Sequence, residues 1–170
     1  MGTNQKRTRR FWIQLIILFV LCLASGLAWR PLSQWYADRE KFSLHFVDQQ
    51  NAPVASFKVD LATTAATRGR GLMFRQPSEM AAHQGMFFVF PDEAQRSFWM
   101  KNTYISLDIL YLDNTCKIVQ ILENVPVLNE QPRPSLVPAQ YVLELHAGTA
   151  AKRGLKLGHR CIDTLPVALE

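Results

Sequence analysis

The chain has little of the chemistry that marks the common enzyme classes. Its 170 residues include three cysteines and four histidines, and no metal-ligand spacing relates the histidines, which are His45, His83, His146 and His159. A nucleophile elbow, a phosphate-cradling glycine loop and a His-Glu-x-x-His sequence are all missing. We therefore expect no metal and no other cofactor, and the sequence leaves open whether the protein is an enzyme.

Excess positive charge is also missing from most of the chain. Of the 19 lysines and arginines, four precede Phe11, which leaves 15 basic side chains against 14 acidic ones in the remainder. A nucleic-acid-binding domain needs a basic face of its own, and no Lys/Arg stripe or recognised binding motif occurs here. We expect no nucleic-acid partner.

An apolar run at the N-terminus predicts export. Residues 11–28 form an 18-residue run after a cluster of cations, about 27 Å long as a helix, which suits a signal peptide or a membrane anchor. Trp29 and Trp35 favour a retained anchor, because aromatic residues collect at membrane interfaces. We expect residues 1–29 to be the signal or anchor and residues 30–40 to be a linker.

The location follows from the fate of this segment. If it is retained, residues 11–28 bind the membrane and the rest of the chain lies at the periplasmic face of the inner membrane. If it is cleaved, the protein is periplasmic. Residues 41–170 are long enough for a single domain with its own core.

Short apolar segments separated by turn formers predict that this domain is mainly β. Phe57, Val59 and Leu61 alternate with polar residues, as in a strand with one wet face. Further strands are expected at Gly85–Phe90, Gln95–Thr103, Leu107–Leu112, Cys116–Glu123, Gln140–Leu145 and Arg160–Thr164. The segments Thr64–Gly69 and Thr149–Gly154 share the pattern Thr-Ala-Ala-x-Arg-Gly, which predicts two short helical turns capped by threonine and ended by glycine. The pattern favours a compact antiparallel β-barrel or sandwich after the N-terminal transmembrane or signal helix.

Three segments give the chain a family resemblance. Gly71–Arg75, Ser97–Thr103 and Leu107–Tyr111 resemble the bacterial and archaeal family called domain of unknown function 192, and the similar region runs from about Val54 to Asp163. The resemblance implies a small, jelly-roll-like β fold. It implies no reaction and no ligand.

A candidate site centres on Ser97–Thr103. If this segment is extended, Trp99 and Lys101 share a face, where an indole can stack on a flat ligand and an ammonium can bind a carboxylate or phosphate. An acid in an otherwise apolar strand needs a partner, so two acids from nearby strands are expected beside this face. The candidate ligand-binding residues are Arg75, Trp99, Lys101, Asn102, Asp108 and Glu144.

The same side chains also suit purely structural roles. Trp99 can be a half-buried packing residue, Asn102 a turn residue, and Arg75 the partner of Asp108 or Glu144 in an ion pair. Three functions therefore remain open at this stage. The preferred one is an envelope domain that binds a small or polymeric polar ligand, with carbohydrate as one candidate. The others are a hydrolase or lyase using Lys101 with one of the two acids, and an accessory or structural domain for a protein partner.

Two thiols lie outside the N-terminal run. In an oxidising compartment Cys116 and Cys161 can close a loop of about 45 residues with a disulfide, if the strand ends that carry them are neighbours. Two separately buried thiols are the alternative.

Overall fold

The computed structural model describes residues 41–164 and residue 168. The strands are β1 Phe42–Val47, β2 Pro53–Ala62, β3 Gln84–Ala94, β4 Ser97–Phe98, β5 Leu107–Leu112, β6 Ile118–Val125, β7 Arg133–Pro134, β8 Ala139–His146 and β9 Arg160–Cys161. The helices are α1 Ala65–Arg70 and α2 Thr149–Lys152, with a 3-10 turn at Pro77–Glu79. The expected anchor and linker lie outside the described residues, and no helix within those residues is long and apolar enough to cross a membrane.

The fold is mainly β with two short helices, as the sequence predicts, but its main sheet is not closed into a barrel. Seven strands lie in the order β6-β5-β8-β3-β2-β1-β9, and β4 pairs with β7 in a separate two-stranded ladder. The sheet is also not wholly antiparallel, because β2 and β3 run parallel. Residues 63–83, which include α1, join these two strands and are long enough to return the chain to the same end of the sheet.

The two edge strands approach each other at one corner without forming a ladder. Lys117 and Arg160 form an isolated bridge there, and Ile118 N–H donates to the His159 carbonyl at 2.8 Å. Cys116 and Cys161 form a disulfide at this corner, with their Cα atoms 5.5 Å apart. A covalent link between the strands at the two edges of the sheet therefore takes the place of barrel closure.

Both faces of the central strands are buried. Phe87, Leu143 and Leu110 lie in one row across β3, β8 and β5 on the first face, and Phe88 and Val142 lie on the second. Burial on both faces explains why these strands lack polar alternation. Each fully buried apolar side chain of this size contributes about 1.5–3 kcal/mol to folding.

The predicted strand Gln95–Thr103 is the largest error in the sequence-based elements. Strand β3 continues through Pro91 to Ala94, at a register irregularity where a residue without an N–H is tolerated. Only Ser97 and Phe98 of the predicted strand are extended in a ladder. The chain then turns. The Thr103 N–H donates to the Met100 carbonyl, and the Met100 N–H donates to the Asn129 carbonyl.

The two Thr-Ala-Ala-x-Arg-Gly segments form helices with different caps. Thr64 caps α1 as predicted, accepting the Thr67 N–H at 3.1 Å, but that helix ends at Gly71 rather than at Gly69. Helix α2 begins after Gly148, and Thr149 is its first residue rather than its cap. The sequence similarity therefore does not extend to the capping interactions.

Candidate functional site

A cavity of about 290 Å³ opens on the second face of the main sheet, beneath α1 and the chain that follows it. Its walls come from three stretches of chain: residues 68–73, the aromatic side of β3, and residues 97–99 of β4 and the following turn. Glu144 of β8 also lines it. The residues that line it include Arg68, Arg70, Gly71, Phe88, Phe90, Phe98, Trp99 and Glu144.

Glycine at position 71 allows the chain to form this wall. Gly71 has φ 50°, in the region that favours glycine, and a Cβ there would lie 3.4 Å from the Phe88 ring. Leu72 is buried directly after it and fixes the segment on the core. Residues 71–73 thus form a closely packed wall of the cavity.

Glu144 is the buried acid of the site. It lies in register with Met86 of β3 and Ile109 of β5, so it points to the second face among apolar neighbours, and 4% of its surface is exposed. Burial raises the pKa of Glu144 from 4.5 to about 8. At neutral pH the carboxyl is therefore mostly protonated and can donate a hydrogen bond.

Tyr111 reinforces the neutral character of this region. Its hydroxyl donates to the Arg133 carbonyl at 2.5 Å. Burial, and secondly the charge that Glu144 would carry, raise the pKa of Tyr111 well above 10. The phenol stays protonated at physiological pH, so it adds no charge beside the carboxyl.

Arg68 and Arg70 supply positive charge to the cavity walls. Arg68 donates to the carbonyl oxygens of Thr63 (2.5 Å) and Val89 (3.0 Å), and its guanidinium lies 5.3 Å from the centre of the Phe90 ring. Sequence reasoning missed both arginines. The available signal was the last turn of the predicted helix, where basic side chains are common.

Trp99 and Lys101 do meet, although not on a strand. The Lys101 ammonium lies 5.1 Å from the centre of the Trp99 ring and 3.6 Å from the Glu130 carboxylate. Trp99 lines the cavity and is 47% exposed, so its indole stands at the mouth. Lys101 is not among the lining residues, so its charge acts beside the site and not within it.

Asn102 and Arg75 hold the loops around the site in place. Asn102 has φ 50°, and its carbonyl accepts the Phe74 N–H at 2.8 Å, which ties the two loops together. Arg75 is buried and pairs with Asp60 at 2.7 Å, and Lys41 contacts the same carboxylate at 2.7 Å. The acid paired with Arg75 is thus neither Asp108 nor Glu144, the two partners expected from the sequence.

Asp108 lies on the other face of the sheet. Its register partner is Leu145, one residue beyond Glu144, so the two carboxyls point in opposite directions. The Asp108 carboxylate accepts the N–H groups of Asn124, Gly148 and Ala150 at 2.8–3.0 Å. It satisfies the start of α2 and does not contribute to the cavity.

The six predicted residues therefore divide into three groups. Trp99 and Glu144 line the cavity, Lys101 and Asn102 lie in the adjoining loop, and Arg75 and Asp108 serve the framework. Within residues 41–164 and residue 168, no three His, Cys, Asp or Glu side chains are grouped to hold a metal ion.

Comparison with known proteins gives a family and a fold. The model of the family DUF192, described as uncharacterized ACR, matches residues 46–162. A crystal structure of a candidate transcription regulator from Sinorhizobium meliloti 1021 is 32% identical with a TM-score of 0.66, covering 74% of this chain and 96% of that one. A protein of unknown function from Novosphingobium aromaticivorans DSM 12444 is 33% identical with a TM-score of 0.64, covering 72% and 85%. No protein with a curated description matches the chain.

Proposed function

The chain belongs to the DUF192 family, and from the geometry of its site we propose that it binds a small ligand with an anionic group in the cavity above Glu144. We place the domain at the periplasmic face of the inner membrane, held there by residues 11–28. The proposal keeps the polar-ligand function favoured by the sequence and narrows the ligand's size and charge.

The observation that carries this proposal is the neutral carboxyl lining an open cavity. A carboxyl buried among apolar side chains costs free energy that a leucine in its place would avoid. Strongly perturbed acids in clefts are enriched at functional sites. Here the cavity gives the Glu144 proton access to a ligand oxygen, so the group can serve as a donor in a dry setting.

The walls of the cavity define the ligand. Arg68 and Arg70 can attract a carboxylate or phosphate, because a guanidinium presents several donors to such a group. Phe88, Phe98 and Trp99 offer apolar and aromatic surface to the rest of the molecule. A volume of about 290 Å³ is near the lower limit for small-molecule sites, so a sugar acid, a sugar phosphate or one terminal unit of a polymer fits.

The geometry supports the hydrolase or lyase function less well. Asp108 is on the opposite face and its carboxylate is bound by three backbone N–H groups, so it cannot act with Lys101 as an acid–base pair at this cavity. Lys101 does not line the cavity either, although Glu144 does. The similarity to a transcription regulator does not lead us to propose DNA binding, because the charge beyond Arg10 is balanced.

A thermal-shift screen of the full-length protein in detergent at pH 6 tests the proposal. The compounds are carboxylates, phosphates, sugar acids and neutral sugars. We expect an anionic compound to raise the melting temperature, and Arg70→Ala and Trp99→Ala to weaken its binding by about tenfold each, as expected for loss of one charged or aromatic contact.

Leu157→Ala is the matched control, because Leu157 is exposed and does not line the cavity. This variant should bind as the wild type does. Equal binding by the Arg70 and Trp99 variants would place the ligand elsewhere. The absence of any stabilising anion from a well-folded protein would contradict the proposal itself.

A further inference from the structure

Exposed apolar side chains are grouped on loops beside the cavity. Phe74 and Leu128 are 57% and 58% exposed, and Tyr104 and Val127 are also exposed. These four residues are called the apolar loop patch below. Backbone hydrogen bonds join the loops that carry them. The Phe74 N–H donates to the Asn102 carbonyl at 2.8 Å, and the Leu128 N–H donates to the Thr103 carbonyl at 3.1 Å.

The backbone holds the two most exposed members of the patch in an unfavourable conformation. Phe74 has φ 65° and Leu128 has φ 54°, in the left-handed region that bulky residues rarely adopt. Such a conformation costs about 1–3 kcal/mol per residue and persists where the surrounding structure enforces it, often at functional sites. Here the two residues in this conformation also have large apolar side chains that are more than half exposed.

Ion pairs connect the first described residue to the residue that follows Phe74. Lys41, the first described residue, contacts Asp60, and Asp60 pairs with Arg75, which directly follows Phe74. Between the apolar run and Lys41 lie residues 29–40, which span roughly 40 Å at most if fully extended. A domain tethered by residues 11–28 therefore stays within reach of the bilayer that holds them.

The polar and aromatic side chains in and beside the patch are those of a membrane interface. Tyr104 and Trp99 combine an apolar ring with a polar atom, and such rings concentrate at the headgroup level. The Lys101 ammonium, stacked on Trp99, can reach anionic headgroups while its methylene chain stays in apolar surroundings.

We propose that the apolar loop patch docks on the lipid bilayer, with Phe74 and Leu128 inserted at the level of the headgroups and upper acyl chains. This inference rests on the membrane anchoring in the proposed function and does not require a ligand in the cavity. It places the mouth of the cavity, marked by Trp99, beside the membrane surface.

Fluorescence of Trp99 tests the docking in the full-length protein. Replacing Trp12, Trp29 and Trp35 by phenylalanine leaves Trp99 as the one tryptophan of the four in the chain. The protein is reconstituted in phosphatidylethanolamine/phosphatidylglycerol vesicles with brominated acyl chains, which quench nearby indoles. We expect quenching of Trp99, and a weakening of docking by roughly tenfold for each apolar side chain removed in Phe74→Ser/Leu128→Ser.

Leu157→Ser is the control, since Leu157 is 59% exposed and lies outside the patch. It should leave the quenching unchanged, and an equal loss in this variant would overturn the proposal. Vesicle flotation reports the anchoring separately. Protein that floats with vesicles but shows unquenched Trp99 would also overturn the docking. Cross-links from the patch to another protein would then identify a protein as its occupant. Protein that does not float would remove the anchor and the docking together, while the cavity screen would still stand.

Discussion

At the scale of the residue, two acids one register step apart have opposite surroundings. Asp108 accepts three backbone N–H groups on the first face of the sheet, whereas Glu144 faces apolar side chains and the cavity on the second. The sequence identified both as acids in apolar strands. It could not separate them, because strand register decides which face each carboxyl occupies.

Asp108→Ala should destabilise the fold without altering the cavity. Three backbone N–H groups would lose their acceptor, and the free energy of unfolding should fall by about 2–5 kcal/mol. Urea denaturation measures this, with Asp48→Ala as the control, since Asp48 caps an exposed turn through Gln50 and Ala52. A loss no greater than that of the control would contradict the structural role.

Glu144 should make stability depend on pH. Its pKa is raised in the folded state, from 4.5 to about 8, so between these values the folded protein binds more protons than the unfolded chain does. Stability from this group is complete below pH 4.5 and is lost as pH rises toward 8, by at most about 1.4 kcal/mol per pH unit. Urea denaturation of the wild type and Glu144→Gln from pH 5 to 9 checks this, because the difference between the two proteins should change with pH in that direction. A constant difference would show that Glu144 titrates normally.

At the scale of the element, the disulfide compensates for the missing barrel closure. Cys116 lies in the turn before β6 and Cys161 ends β9, so the bond links the two edges of the main sheet across a sequence separation of 45 residues. A loop of this length, closed in the unfolded chain, stabilises a fold by about 2–4 kcal/mol.

Reduction of the disulfide should therefore lower the free energy of unfolding by about that amount. Urea denaturation with and without reductant measures the loss, and Cys116→Ser/Cys161→Ser should show it without any response to reductant. In the unfolded, unreduced protein we expect one reactive thiol, Cys22, of the three cysteines. Three reactive thiols would show that the bond does not form.

Whether a turn is formed by local or by distant contacts explains which elements near the site could be predicted from the sequence. The hairpin of β5 and β6 was predicted because apolar runs flank a turn that Asp113 organises by accepting the N–H groups of Thr115 and Lys117. The turn at Met100–Thr103 was missed because backbone bonds to distant residues such as Asn129 create it, and the local sequence reads as extended. Trp99 and Lys101 still meet, through a cation–π contact and not through the strand alternation on which the prediction relied.

At the scale of the whole molecule, the β class could be predicted and the topology could not. Alternation and turn residues identify short strands, but the parallel pair β2–β3 depends on the long connection through α1. That connection also brings Arg68 and Arg70 over the sheet, which is why the cationic wall of the cavity was missed. The site is thus assembled by the crossover as much as by the Ser97–Thr103 segment.

The account as a whole requires that a neutral Glu144 donates a hydrogen bond to an anionic ligand. The most direct test is calorimetric titration of the best anionic compound from the screen, at pH 6 and pH 9, into wild-type protein and Glu144→Gln. When the pH exceeds the Glu144 pKa of about 8, the carboxyl becomes an anion and repels the ligand, so wild-type affinity should fall by tenfold or more. The Glu144→Gln variant keeps a neutral donor and should bind equally at both pH values. Wild-type affinity that is the same at both pH values, or an equal fall in both proteins, would contradict the account.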